Sequence, residues 1–274
     1  MPNHVTNQIR VIGGTNKQRL AFIRAVTNKS GRIDFNSITR MPKSMMIDES
    51  SWVEMYASAI AGRHMSRFTF EAIKTPEEMV EMMRKHGSSP EQIKRVKKHA
   101  LMRIENNRRY GFYSWYDWST EKWGTKWNAY EVEMPVARKF ERVKRGYQWR
   151  ETHVRAYAKR VFKKQLARHA ASGSELVIRF ETAWNYPEPI YKEMAARFPH
   201  LVFEVKYADE DMGSNCGKIL LSDGEFHELE IAPRWRDMSS EEKKKWLKFA
   251  FELRFPGDTP QQHGLNDSYE YIDG

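Results

Sequence analysis

Two segments late in this 274-residue chain alternate apolar and polar residues with a period of two, and a segment of helical period lies between them. Leu176, Ile178, Phe180, Thr182 and Trp184 alternate with Glu175, Arg179 and Glu181. Leu201, Phe203, Val205 and Tyr207 alternate with Glu204 and Lys206. A period of two sends one set of side chains to a buried face and the other toward water, so each segment reads as a half-buried strand. Between them "NYPEP" opens a helix over about 188–198, and Phe198-Pro199 ends it. Strand, helix and strand in this order call for a sheet backed by helices.

The start of the chain repeats the pattern. Val5, Asn7, Ile9 and Val11 fall on one face, and Thr6, Gln8 and Arg10 on the other. Gly13-Gly14 breaks the strand, and Thr15 stands three residues before Gln18, the spacing of a capping box. The helix that follows carries Leu20, Ile23 and Val26 on one stripe. GGTNK lacks the second glycine and the GK[ST] ending of a phosphate loop, so a turn and cap is the reading here. "RIDFNSITRMP" reads as a short extended run ended by Pro42.

Residues 44–110 read as helical, with a start signal at Thr75-Pro76-Glu77-Glu78 and a further helix over about 90–107. Residues 110–135 are aromatic and turn-rich, with a short strand expected at Tyr130–Met134. Residues 150–171 read as a basic amphipathic helix with Val154, Ala158, Val161 and Leu166 on its apolar side. A strand or hairpin is expected near 217–231, and Ser239-x-x-Glu242 opens a last helix to about Phe255. The expected class is α+β: a mostly antiparallel sheet with helices on one face. It is built from 1–43 and 172–256, interrupted by a mainly helical insertion at 44–171 and followed by a flexible acidic tail at 257–274.

Charge is unevenly spread. The net charge is +10, yet 138–168 alone carries twelve Lys/Arg opposed by Glu141 and Glu151, and 84–109 carries nine opposed by two acids. A basic helix that repels itself at i, i+4 is relieved by a polyanion, so this region is the expected nucleic-acid surface. Its named candidates are Arg142, Lys144, Arg145, Arg155, Lys159 and Lys163. A plainly solvated face or an acidic protein partner are the alternatives. "WSTEKWGTKWNA" raises a second question, because Trp115, Trp118, Trp123, Lys126 and Trp127 suit either base stacking or anchorage of the insertion to the core. Trp123 and Trp127 are four apart and would share a face of a helical turn, while Gly124 allows a sharp turn. Anchorage is the first reading and recognition the second.

Other chemistries find little support in the sequence. The one cysteine, Cys216, has no nearby His and suits a reducing compartment, so a cytoplasmic location is expected. MPNHVTNQIR lacks the basic-then-apolar pattern of a signal peptide, and no run of 18 apolar residues occurs. No spacing of His, Cys or acids fits a metal site. Asp209-Glu210-Asp211 reads as an acidic hairpin loop, Glu181 as an acid on the solvent face of a strand, and Glu188 as an acid in a helix's first turn, where it suits the dipole. No catalytic set, metal or cofactor is therefore expected.

Four segments, "MPNHVTNQIRVIGG", "IDFNSITRMP", "KWGTKWNA" and "FETAWNYPEPIYKEMAARFPHLVFEVKYADE", resemble in that order the YubB-like group of phage- and plasmid-encoded accessory proteins. Many members of that group carry Trp-Cys near the start, where this chain has His4-Val5. The resemblance implies a ferredoxin-like α+β fold and a mobile-element origin, and it brings no catalytic residues. The expected function is a non-enzymatic binding module that meets nucleic acid through its basic surface. The alternative is an interaction module that acts on a host protein through the Trp-rich region.

Overall fold

A computed structural model describes residues 3–29, 31–66, 73–134, 175–270 and 272, with Glu228, 140–145 and 148–153 described as backbone. The chain forms two compact units, Met1–Thr39 with Trp123–Gly274, and Arg40–Lys122. The helical insertion thus closes at Lys122 rather than at 171, and the WGTKW segment belongs to the sheet unit. The elements in chain order are β1 (His4–Ile12), α1 (Asn16–Val26), α2 (Phe35–Ile38), α3 (Ser51–Ala61), α4 (Pro76–Lys85), α5 (Pro90–Tyr110) and α6 (Trp115–Lys122). They continue with β2 (Tyr130–Glu133), β3 (Phe140–Arg145), β4 (Gln148–His153), β5 (Leu176–Ala183), α7 (Glu188–Arg197), β6 (Val202–Asp209), β7 (Cys216–Ser222), β8 (Glu225–Ile231) and α8 (Ser240–Arg254).

The main sheet has the order β2-β5-β1-β6-β7-β8, with every neighbouring pair antiparallel. β5 and β6 flank β1 and are joined by α7, which makes a split β-α-β unit. The register places Asn7 between Phe180 and Tyr207. One face therefore carries Val11, Ile9, Ile178, Phe180, Phe203, Val205 and Tyr207, all buried. Each such side chain contributes roughly 1.5–3 kcal/mol on burial. α1 brings Phe22 to 5.2 Å, centroid to centroid, from Phe203 and from Phe198. α7 brings Tyr191, whose hydroxyl donates to Asn7 Oδ1 at 2.7 Å. Asn7 is the polar member of an apolar row, and its amide donates to Val5 O at 2.9 Å and Thr182 Oγ1 at 2.8 Å. A buried amide is tolerated there because its bonds are made.

Helices lie on both faces, not on one. Trp246, Ala250 and Leu253 of α8 pack with Ala208 and Cys216, which point away from α7. The segment after α8, expected to fray, packs too. Leu265 is fully buried, Thr259 and Gln262 close a capping box, and the Tyr269 ring lies 5.4 Å from Phe251.

Capping boxes at Thr15/Gln18, Thr75/Glu78, Ser89/Gln92 and Ser239/Glu242 start α1, α4, α5 and α8. Two stretches depart from the sequence expectation. Phe35–Ile38 is one helical turn rather than an extended run. Asp34 Oδ1 accepts from Asn36 N at 2.9 Å and from Asn128 Nδ2 at 2.7 Å, while Asn128 Oδ1 accepts from Phe35 N at 2.9 Å. A partner 93 positions away holds that turn. Gln148–His153 is a strand, so the helix expected from 150 does not begin there. It pairs with β3 from Phe140↔His153 to Arg145↔Gln148 as a separate two-stranded sheet. Trp149 and Thr152 favour such a strand, and the partner strand ends three residues upstream. The rest of the expected helix lies outside the described residues.

The helical unit packs Val53, Tyr56 and Ala57 of α3 with Met65, with Met79 and Met83 of α4, and with Ile93 and Ala100 of α5. Arg103 sits inside this unit, 2% exposed, and donates to Met65 O at 2.6 Å, Glu49 Oε1 at 3.0 Å and Glu54 Oε1 at 2.9 Å. Burial pushes the Glu49 carboxyl up, although Ser114 and Arg103 pull it down.

Candidate functional site

The Trp-rich segment divides between inside and outside. Residues 124–127 form bends rather than continuing a helix, so Trp123 and Trp127 do not share a helical face. Trp123 is buried against Phe35, ring centroids 5.8 Å apart, and its indole N–H donates to Thr39 O at 2.9 Å. Gly124 has φ 77°, and a Cβ there would stand 2.7 Å from Pro189 Cδ. Glycine is the residue that fits both the backbone angle and the space. Thr125 is buried and closes the end of β5, donating to Ala183 O at 2.7 Å and accepting from Ala183 N at 3.1 Å. Trp118, on α6, is buried, and Trp115 on the same helix is half-buried. Trp118 and Trp123 are therefore enclosed, each within its own unit, rather than displayed to solvent.

Lys126 and Trp127 point the other way. Lys126 Nζ lies 5.3 Å from the Trp127 ring centroid and 4.8 Å from that of Trp184. Trp127 is 38% and Trp184 37% exposed. Trp184 sits at φ 77°, a left-handed conformation that a bulky residue rarely adopts. It is held by Trp184 N donating to Asn3 O at 2.9 Å and by Asn215 Nδ2 donating to Trp184 O at 3.1 Å.

Beside this pair lies a cleft of ≈ 770 Å³ lined by His4, Trp127, Asn128, Tyr130, Glu131, Glu181, Glu210 and Arg254. The Tyr130 hydroxyl donates to Thr182 O at 3.0 Å and meets His4 Nδ1 at 2.6 Å. With the hydroxyl proton on Thr182 O, His4 Nδ1 is the donor in that contact. Burial raises the Tyr130 phenol, and Glu181 and Glu210 raise it further against the opposing pull of Arg254. Thr6 Oγ1 donates to Glu181 Oε1 at 2.7 Å, while Glu181 Oε2 is buried with no hydrogen-bond partner among the described residues. Arg254 Nη1 donates to His4 O at 3.1 Å. Sequence reading passed over this cleft, because its residues come from five separate places in the chain.

The basic surface is described in the helical unit. Arg142, Lys144 and Arg145 lie on β3, described as backbone, and Arg155, Lys159 and Lys163 lie outside the described residues. Of the cations on α5, Arg95 pairs with Asp48 at 3.5 Å, Arg103 with Glu49 and Glu54, and Arg108 with Glu105 at 2.7 Å. Arg109 pairs with Glu105 as well, and the two arginines hold the Glu105 carboxyl down at about 2. Lys94, Lys97 and Lys98 are exposed, and among the described residues no carboxylate lies within 4.0 Å of them. Their spacing of three and four puts them on one stripe, which Leu101, 57% exposed, continues. A groove of ≈ 530 Å³ runs beside them, lined by Val80, Arg84, Ser88, Pro90, Ile93, Lys94 and Lys97. Arg84 has Glu81 at 4.0 Å, a loose and exposed pair.

The remaining candidates resolve into structural roles. Asp209 is buried and accepts from Asn3 Nδ2, Asn215 Nδ2 and Asp211 N at 3.1, 2.9 and 2.9 Å, the pattern of a loop lock. Glu188 pairs with Lys192 at 2.7 Å, apart from Glu181. Burial pushes the Cys216 thiol to about 12, so it stays protonated inside the core. Among the described residues there is no group of three His, Cys, Asp or Glu placed to hold a metal, and no helix long and apolar enough to cross a membrane.

With a split β-α-β unit, an antiparallel sheet and flanking helices, the sheet unit is of the ferredoxin-like α+β class. Residues 161–249, which include β5 through β8 and most of α8, match the family model described as a ferredoxin-like domain in Api92-like protein. Among solved structures, protein api92 from Yersinia pseudotuberculosis aligns at 9% identity over 85% of this chain and 99% of that chain, with a TM-score of 0.37. That likeness is too loose to define a shared arrangement. No curated protein matches the chain.

Proposed function

We propose that this chain is a non-enzymatic binding module that grips the phosphate backbone of a nucleic acid with the outer stripe of α5 and its groove with α4. The observation that carries the reading is the row Lys94, Lys97 and Lys98, which has no carboxylate within 4.0 Å among the described residues, with Lys97 also over the Tyr56 ring at 5.8 Å, on a helix whose other cations are matched by acids. Phosphates neutralise such a row and release counterions, which favours binding at low salt. Arg84 extends the row across the groove. The excess of ten positive charges over 138–168 supplies a second basic segment, with Arg142, Lys144, Arg145, Arg155, Lys159 and Lys163 as its contacts. Resemblance to YubB-like proteins supports a phage or plasmid accessory role in the cytoplasm.

The test is fluorescence anisotropy of labelled RNA and DNA oligonucleotides, titrated at a series of salt concentrations. Binding is expected to fall steeply with salt. Lys94→Ala/Lys97→Ala/Lys98→Ala is expected to flatten the log-log salt slope by roughly two to three, for three lost phosphate contacts. Arg155→Ala/Lys159→Ala measures the share of the second segment. Salt-independent or absent binding refutes the reading.

A second reading rests on Trp127 and Trp184, two exposed indoles bridged by Lys126. Tryptophan is enriched at binding hot spots, so this pair suits a host-protein partner. That reading expects specific capture of one protein, lost in Trp127→Ala/Trp184→Ala and kept in the lysine variant.

A further inference from the structure

The two edges of the main sheet differ. At β2 the register shifts between Tyr130 and Glu133, and Glu131 stands at φ 44°, so that edge is a poor template for a regular strand. At the other edge, β8, the stretch Leu229–Ile231 is regular. Ala232 N donates to Cys216 O at 2.9 Å, which makes these two a hydrogen-bonded pair of the antiparallel ladder. Counting back along the register, Glu230 turns its backbone groups toward Lys218, while Leu229 and Ile231 turn theirs outward. Among the described residues no partner meets those outward groups. A register shift that leaves out His227 bounds the open stretch on one side, and Pro233, which has no N–H, bounds it on the other.

The side chains agree with the backbone. Leu229 and Ile231 are 52% and 44% exposed, although their register partners Ile219 and Gly217 are buried. Glu230, between them, points to the other face, where Lys218 at 3.3 Å and Lys245 both hold its carboxylate. An open apolar edge is a template for another strand. A two-fold axis through Glu230 sets Leu229 of one copy opposite Ile231 of the other, twice over. Both residues carry outward N–H and C=O groups, so both pairs are hydrogen-bonded and the alternation of the ladder is kept across the axis. In each copy the pairing ends before the register shift and before Pro233. The two Glu230 carboxylates face each other, and like charges in such a position repel. Here each is already held by two ammonium groups of its own copy. A symmetric contact demands this kind of self-complementarity.

We propose that β8 pairs with β8 of a second copy of this chain, antiparallel about Glu230, and joins two sheets into one continuous sheet. A dimer that is stable at low concentration buries roughly 1,200 Å² or more. So short an edge covers less, and the association is therefore weak and responds to concentration. The contact lies in the sheet unit and uses none of the α5 lysines, so it stands or falls apart from the phosphate reading.

Sedimentation velocity of the full chain at rising concentration tests this. A reversible shift from monomer to dimer is expected, with half conversion on the order of 100 µM. Leu229→Lys/Ile231→Lys, at exposed positions, is expected to weaken it roughly tenfold or more while the thermal melt stays unchanged. A second variant reports the register. Residues opposite one another in a non-hydrogen-bonded pair have Cα atoms about 4.5 Å apart, within reach of a disulfide. Glu230→Cys is therefore expected to give a disulfide-linked dimer on oxidation with diamide, and Glu225→Cys is not. Cys216, the chain's one natural cysteine, is buried and does not compete. Monomers at every concentration overturn the proposal and leave the edge to a foreign strand. A dimer untouched by the two lysine substitutions, or cross-linking of Glu230→Cys no greater than that of Glu225→Cys, overturns it as well.

Discussion

On the polar face of the sheet, Arg10 lies between Glu175 and Glu204, and Lys218 and Lys245 share Glu230. On the outer stripe of α5, Lys94, Lys97 and Lys98 have no carboxylate in reach among the described residues. Both regions are rich in positive charge, yet Arg10, Lys218 and Lys245 are matched by acids within the fold and the α5 lysines are left for something else. Net charge alone does not locate a binding surface. What locates it is the pairing, which depends on which acids the fold brings near. The contrast also runs through α5 itself, because Arg103 on its inner side is enclosed by two acids while the outer lysines are open.

The largest effect is expected from breaking the paired side of that contrast. Arg103→Ala leaves Glu49 and Glu54 partly buried without their cation, and a loss of about 3–5 kcal/mol in stability of the helical unit is expected by denaturant unfolding. Removing the outer lysines, by contrast, is expected to change stability by no more than about 0.5 kcal/mol each. Comparable losses in the two variants would erase the distinction.

Gly124→Ala comes next. It forces an L-residue into a left-handed conformation and drives a methyl into Pro189, so about 1–3 kcal/mol is expected to be lost from the sheet unit. Trp127→Ala, three residues on, is expected to leave the melting temperature nearly unchanged. That pair sharpens the division of the WGTKW segment into an inner anchor and an outer surface.

A smaller effect concerns pH. Burial, then the nearby Arg95, lowers the His99 imidazole below its ordinary 6.5, and its neutral Nδ1 accepts from Asp48 N at 3.1 Å. The folded form therefore binds its proton less readily than the unfolded chain. The contribution is complete above pH 6.5 and is lost as pH falls through the window below it. Thermal melts between about pH 7.5 and 5, roughly the titration range of histidine, are expected to show a decline that His99→Gln diminishes. A rise in stability on acidification over that range, absent from the variant, would contradict the assignment.

Much of the fold was legible because it rests on local signals. Strict alternation marked β1, β5 and β6, and Thr15/Gln18, Thr75/Glu78 and Ser239/Glu242 closed the caps their spacing promised. Two misreadings trace to partners distant in sequence, and the third, at Gln148–His153, to pairing with its hairpin neighbour. Phe35–Ile38 turns because Asn128 holds it, Gln148–His153 extends because β3 pairs with it, and residues after 257 pack because Phe251 receives Tyr269. The site was legible in part. The excess of positive charge at 84–109 pointed to α5, but only coordinates separate Arg95, Arg103, Arg108 and Arg109, which are matched, from Lys94, Lys97 and Lys98. The cleft carried no local signal, since Thr6↔Glu181 pairing joins residues 175 positions apart.

The central claim is that the open lysine row of α5 exists to meet phosphate. Its most direct test is the salt dependence of oligonucleotide binding by the full chain and by the Lys94→Ala/Lys97→Ala/Lys98→Ala form, measured side by side. A steep slope in the parent and a clearly shallower one in the variant, with both proteins equally folded, is the expected result. Identical slopes, or no association at low salt, would contradict it.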